Sequence, residues 1–199
     1  MTFDVQATIK KLPAIAPSIK RNKVPVRMTL ANQVRIQDNE LLWTDGVSVI
    51  SVPVEAENAM LNRDGETTGQ VSVLPDNYER VIYPAYKTGA VIGKLTSKDI
   101  TAFFKSVKNE NVQVIFTDNV MTLIRTDDNT TMEIMVDGDV NHERRQFNGT
   151  LLRDMLKFVA YLQRTSKDNV IVQDFNDNLS PIVFRQGDVL TQLSPIYMN

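Results

Sequence analysis

The stretch "RRQFNGTLLRDMLKFVAYLQR" (Arg144–Arg164) carries two structural signals in one run. Its first residues form a short extended piece. From about Gly149 to Arg164 the apolar residues then recur at helical spacing. On a helical wheel at ~100° per residue, Leu151, Met155, Phe158, Val159 and Leu162 lie together, the face that packs on a sheet. Roughly opposite them, Arg153, Lys157, Ala160 and Arg164 fall in one narrow stripe.

The residues that follow supply the sheet. "NVIVQDF", "PIVFRQ" and "VLTQLSPIYM" read as strands. The same order occurs upstream. "TSKDITAFFKSVK" (Thr96–Lys108) opens with a Thr or Ser cap and has Asp99 three places after Thr96. Ile100, Phe103, Phe104 and Val107 then recur at helical spacing, and "VQVIFTD", "VMTLIRTD" and "TTMEIMVDG" follow as strands between Asp/Asn turns. Residues 90–199 therefore hold two successive units, each a helix and three strands. The expected fold class is α+β, helices packed on antiparallel sheets.

The N-terminal half is less regular. "TIKKLPAIAPSIKRNK" has apolar spacing suited to a helix, but Pro13 and Pro17 restrict one. "VPVRMTLANQVRI", "NELLWTD" and "GVSVISVPVEA" read as strands, and residues 57–69 as a loop. "QVSVLPDNYERVIYPAY" suggests a strand and a short helix stopped before Pro84.

An internal repeat runs through both halves. "LLWTDGVSVISVPV" (Leu41–Val54) aligns without gaps on "LIRTDDNTTMEIMV" (Leu123–Val136). Thr44-Asp45 matches Thr126-Asp127, and Ile50, Val52 and Val54 match Met132, Ile134 and Val136. That alternation is a half-buried strand leaving a tight turn, and repetition suggests a pseudo-symmetric array. Two hairpins that converged on common turn chemistry would read the same way.

Charge gives the functional direction. The 199 residues hold 22 basic and 24 acidic side chains, a net charge of -2, which argues against a uniformly basic nucleic-acid binder. Yet on the Thr96–Lys108 helix Lys98, Thr101, Ala102 and Lys105 share a stripe flanked by Lys108, as Arg153, Lys157 and Arg164 do on the second helix. Asp99 and Asp154 lie off the stripes. Any solvated helix face carries charge, but single-sign charge on a rigid surface suits sequence-independent phosphate contact. No aromatic is interleaved, so base stacking is not indicated.

Catalytic and metal chemistry finds little support. The absence of cysteine excludes disulfides, thiolate catalysis and cysteine zinc sites, and the single histidine, His142, excludes any site needing two. "GAVIGKLT" (Gly89–Thr96) is one residue short of a P-loop and holds Val91 and Ile92 where small residues belong, so it reads as a strand leading into a capped helix. "DDNTTMEIMVDGD" lacks the glycine of a calcium-binding loop. No apolar run is long enough to span a bilayer, and "MTFDVQATIKK" lacks a signal-peptide core. The expectation is a protein that is not an enzyme and has no cofactor or metal.

Taken together, "FNGTLLRDML" (Phe147–Leu156), "NVIVQDFNDNLSPIVFR" (Asn169–Arg185), the terminal "SPIYMN" and the two Thr-Asp turns resemble the bacterial DNA polymerase sliding clamp, the beta subunit of the replicase. The likeness is clearest over residues 90–199 and weaker over 1–56. It implies DNA-clamp repeats assembled as a ring, helices lining the hole and sheets outside. It implies a processivity factor that encircles double-stranded DNA regardless of sequence and tethers a DNA polymerase, in the cytoplasm of a bacterial or phage-infected cell. Candidate DNA contacts are Lys98, Lys105, Lys108, Arg153, Lys157 and Arg164, joined by Lys10, Lys20 and Arg21.

Such clamps also take short peptides of polymerases and clamp loaders in an apolar pocket by their last strand. The family's terminal Met-Pro-apolar-Arg falls on Ser194-Pro195-Ile196-Tyr197, so Pro195, Ile196 and Met198 are the candidates, although the Met and Arg are missing. An ordinary edge strand would look alike. Bacterial clamps have three domains and close as dimers, and two-domain clamps close as trimers. The expected organisation is an abbreviated clamp-like domain at 1–89 and a two-unit clamp domain at 90–199. A trimer is expected first, a dimer second, in a compact phage-type version. The alternative is a clamp-like binding protein that forms no ring and regulates or recruits replication proteins. A small phage structural protein with a similar sandwich is a third reading.

Overall fold

A computed structural model describes residues 2–14, 30–69, 89–105, 110–138, 144–173 and 180–196. The strand and helix expected over 70–86, and His142, lie outside them. The N-terminal part consists of helix α1 (Val5–Ile9) and strands β1 (Gln33–Gln37), β2 (Glu40–Thr44), β3 (Ser48–Pro53) and β4 (Ala59–Asn62). Next come β5 (Gly89–Ile92), α2 (Ser97–Phe103), β6 (Asn111–Thr117), β7 (Val120–Arg125) and β8 (Thr131–Asp137). The last unit is β9 (Arg144–Asn148), α3 (Gly149–Thr165), β10 (Ile171–Gln173), β11 (Ile182–Gln186) and β12 (Val189–Leu193).

Among the described residues the strands form one twelve-stranded sheet, in the order β4-β1-β2-β3-β12-β11-β10-β5-β8-β7-β6-β9. Every strand pair in it is antiparallel. The two C-terminal units exchange their opening strands. β9 pairs with β6 of the preceding unit, and β5 pairs with β10 of the following one as well as with β8. After β12 the chain returns to the far end of the sheet, where the Ile196 amide donates to the Gln146 carbonyl of β9 at 2.7 Å. β12 also pairs with β3, which joins the N-terminal hairpin to the rest.

Local chemistry starts each helix where the capping residues stand. Asp4 Oδ1 accepts from the Ala7 amide at 2.6 Å, and Asn148 Oδ1 from the Leu151 amide at 3.1 Å. Thr96 Oγ1 accepts from the Asp99 amide at 3.1 Å, the N-cap expected from the spacing, while its hydroxyl donates to the Asp99 carboxylate at 2.5 Å. α3 packs on β6, β9 and β12 and against α2. Flanked on several sides, it buries a wider arc than a helix lying on a sheet alone. Ala160, assigned to the exposed stripe by the wheel, is therefore 1% exposed. Trp43, Phe116, Phe147 and Phe184 are fully buried in one core with Phe158 of α3.

The repeated segments both become hairpins, β2–β3 and β7–β8, but in registers that differ by two residues: Leu42 pairs with Ser51, whereas the aligned Ile124 pairs with Thr131. Ile50, Val52 and Val54 are buried, as are Ile134 and Val136, while Met132 packs against the core at its edge. The shared Thr-Asp does different work in each turn. Asp45 Oδ1 accepts from the Val47 amide at 2.9 Å and the Ser48 amide at 2.6 Å, with Gly46 at φ 85° between them. In the second turn Asp127 pairs instead with Arg125 at 2.7 Å, and Asp128 takes the amide of Thr130 at 2.9 Å.

Other expectations change. Residues 57–69 contain β4, whose Leu61 pairs with Val34 and is buried. A four-residue strand between turns leaves too little alternation to read. Of the strand expected over 24–36, residues 24–29 lie outside the described residues, 30–32 are helical and β1 starts at Gln33. α2 stops at Phe103 with Phe104 as its C-cap, short of the expected Lys108. The glycines of "GAVIGKLT" serve close packing. A Cβ on Gly89 would lie 2.8 Å from Ile171 Cγ2, and one on Gly93 2.9 Å from the Met135 carbonyl.

Candidate nucleic-acid interface

Three helices converge on one cleft of about 510 Å³. Lys10 and Lys11 enter from the end of α1, Ser97 and Thr101 from α2, and Arg153, Lys157 and Arg164 from α3. Five cations thus face a cavity with one carboxylate, Asp154, in a chain of net charge -2.

Each side chain is placed by its element. On α3, Arg153, Lys157 and Arg164 follow one another at i, i+4 and i+11, one stripe on a rigid 17-residue helix. On α2, Ser97 and Thr101 stand one turn apart and offer hydroxyls. The end of α1 is held from below. Its last turn closes with the Leu12 amide on the Thr8 and Ile9 carbonyls, both at 3.2 Å. Arg63 Nη2 then donates to the Leu12 and Pro13 carbonyls at 3.1 and 2.9 Å, and its guanidinium stacks 5.4 Å from the Trp43 ring centre. Burial pushes the Arg63 guanidinium below its ordinary value. With Leu12 and Pro13 buried, Lys10 and Lys11 are left exposed at the mouth.

Asp154 does not lie off the charged surface, as the wheel suggested. It is 8% exposed, lines the cleft, and bonds Arg153 Nε through Oδ1 at 2.8 Å. Its Oδ2 is buried without a hydrogen-bond partner. Arg153 is the cation that pairs with this buried carboxylate, and the pairing orients its guanidinium.

The structure brings together Lys10, Arg153, Lys157 and Arg164 of the residues named from sequence. Lys98 and Lys105 are exposed but stand outside this cleft, because Ser97 and Thr101 take the inward positions on α2. Lys20, Arg21 and Lys108 lie outside the described residues. Lys11 was missed, although the Lys10-Lys11 doublet before Pro13 signals a cationic helix end. Pro195 and Ile196 are half-buried next to β9, and Met198 lies outside the described residues. Among the described residues no cluster of acidic or histidine side chains could hold a metal, and no helix is long and apolar enough to cross a membrane.

This α+β arrangement, a large antiparallel sheet with a few helices, matches the fold of the DNA polymerase sliding clamps. The chain superposes on the beta sliding clamp of Caulobacter crescentus with a TM-score of 0.67 and 16% identity, over 96% of this chain and 62% of that one. It matches the Pseudomonas aeruginosa DNA polymerase sliding clamp with a TM-score of 0.61 and 14% identity, over 97% and 64%. For the DNA polymerase beta subunit of Streptococcus pyogenes the values are 0.60 and 14%, over 97% and 63%. The chain thus spans less than two thirds of the length of these clamps. No protein-family model and no curated protein matches the sequence.

Proposed function

We propose that this protein is a DNA sliding clamp, a non-enzymatic processivity factor that encircles duplex DNA and tethers a replicative polymerase. The observation that carries this reading is the cleft of Lys10, Lys11, Arg153, Lys157 and Arg164 on the helical side of a clamp fold. Flexible cations on a rigid scaffold meet phosphates without reading bases, so the duplex is held and still slides. Lys98 and Lys105, exposed on α2, and Lys20, Arg21 and Lys108 extend the same set.

The ring in this reading closes by association of several copies of the chain. A trimer is the first expectation and a dimer the second. In this reading residues 90–199 are one clamp domain of two units and residues 1–89 an abbreviated one. Pro195, Ile196 and Met198 are the proposed meeting point for a polymerase or loader peptide.

Mass measurement in solution, with particle imaging, tests the ring. A closed oligomer with a central hole is expected. A strict monomer at high concentration would sink the ring and leave the non-ring clamp-like binder. Lys11, Arg153 and Lys157 changed together to Glu should abolish retention on circular DNA in a protein that still folds and assembles. Unchanged retention would refute the basic lining.

A further inference from the structure

A second cleft, of about 670 Å³, opens at the C-terminal end of α3. Arg164 lines both clefts, so the two adjoin at its side chain. The second adds Lys94, from the β5–α2 connection, and Lys167, from the α3–β10 connection. Three cations there face one carboxylate, Asp168.

Both lysines stand on fixed backbone. The Gln163 side chain spans the first connection. Its Nε2 donates to the Gly93 carbonyl at 2.9 Å and the Ile92 carbonyl at 3.3 Å, while its Oε1 accepts from the Leu95 amide at 2.8 Å. Lys94 sits between the residues so clamped. On the second connection the Ser166 amide caps α3 on the Leu162 carbonyl at 3.1 Å. Ser166 Oγ accepts from the Asp168 amide at 3.0 Å, and Gln186 Nε2 donates to the Asp168 carbonyl at 2.7 Å. The Ile92 amide ties the two connections together on the Val170 carbonyl at 2.9 Å. Lys94 and Lys167 thus stand on fixed connections lining the same cleft as Arg164, with their side chains exposed. Structural bonds occupy the neutral side chains around them, and the cations are left to the surface.

We propose that Lys94, Arg164 and Lys167 form a second phosphate-contacting patch, adjoining the helical cleft. A duplex lying along α3 runs past the end of the helix and is gripped there by the two connecting segments. The inference rests on the DNA-binding reading above and adds to it where the duplex goes. Arg153 to Arg164 spans about 16 Å at about 1.5 Å per residue. Duplex DNA carries a charge every ~1.7 Å of axis, so the helical stripe alone passes roughly nine backbone charges. The extra patch lengthens that footprint beyond the helix. The ligand class is the sugar-phosphate backbone of duplex nucleic acid, without sequence selection.

The test compares the full chain with Lys94→Ala/Lys167→Ala and with Arg153→Ala/Lys157→Ala. Binding to a labelled duplex of about 20 base pairs, two helical turns, is followed by fluorescence anisotropy between about 50 and 200 mM salt. Each lost phosphate contact lowers the slope of log K against log salt by about 1. The connection variant should lose about 2 units of slope and bind about tenfold or more weakly at the low-salt end, equally for unrelated sequences. If the helical variant loses slope and the connection variant does not, the second patch is wrong and the proposed function stands. If neither loses slope, DNA binding by this surface falls altogether. Loss in the connection variant alone would overturn the continuous track. Thermal melting of both variants, at exposed or half-buried positions, separates binding loss from unfolding.

Discussion

Asp45 shows how one carboxylate can organise a turn at a cost. Its Oδ1 takes both turn amides, leaving Oδ2 buried with no partner. Burial raises the Asp45 carboxyl above its ordinary value, and the hydrogen bonds from Ser48 and Val47 offset only part of that rise. A raised carboxyl favours folding in its protonated form. Its contribution is complete below the ordinary carboxylate pKa and is lost as pH climbs through the raised value. Asp45→Asn keeps the accepting oxygen without the buried charge, so it should be at least as stable as the parent at pH 7, with the advantage shrinking in acid. Asp45→Ala orphans two amides and should lose about 1–3 kcal/mol. Urea melts across the acid range check both. A parent more stable than Asp45→Asn at every pH would refute the burial argument. The matching Asp127 behaves in the opposite way, because Arg125 beside it holds its carboxyl well below the ordinary value. The same Thr-Asp letters therefore conceal two electrostatic situations.

At the scale of elements, the short α1 depends on a side chain distant in sequence. Five residues are too few for a helix to stand alone. Phe3, its ring tilted against that of Tyr161 of α3 with centres 6.3 Å apart, anchors its start, and Arg63 bonds the two carbonyls beyond its end. Arg63→Ala should cost about 1–3 kcal/mol as charged hydrogen bonds are lost. It should also weaken duplex binding, although Arg63 is not among the cleft cations, because Lys10 and Lys11 lose their footing. Hydrogen exchange of the Thr8–Leu12 amides, read beside binding, separates this from a global effect. Faster exchange confined to α1 is expected, and unchanged exchange with unchanged binding would refute the role. α2 and α3 were legible from spacing and caps because both signals act within a few residues. The wider buried arc of α3, with Ala160 inside it, was not, since the wheel assumes one packing partner.

At the scale of the molecule, the exchange of β5 and β9 and the β3–β12 pairing make one sheet of parts that the sequence presents as separate units. The single Trp, Trp43, lies in the N-terminal hairpin, fully buried with its indole N–H on the Ala31 carbonyl at 3.0 Å. It therefore reports on the region joined through β3. Tryptophan fluorescence and far-ultraviolet circular dichroism should give superimposable denaturant transitions. An earlier fluorescence transition would show that the hairpin melts on its own and that the β3–β12 seam is weak.

Alternation and capping by themselves determined the strands at 111–137, both C-terminal helices, the paired hairpins and the line of Arg153, Lys157 and Arg164 along α3. These patterns arise between residues a few positions apart, where chain geometry leaves few options. Which strand lies beside which, the hidden β4, and the cleft uniting Lys10 and Lys11 with Arg153, Lys157 and Arg164 were decided only by the tertiary structure. A hydrophobic pattern states which face must be buried but not against what. Only the assembled sheet, with α3 packed between α2 and the N-terminal segment, brings those distant cations to one surface.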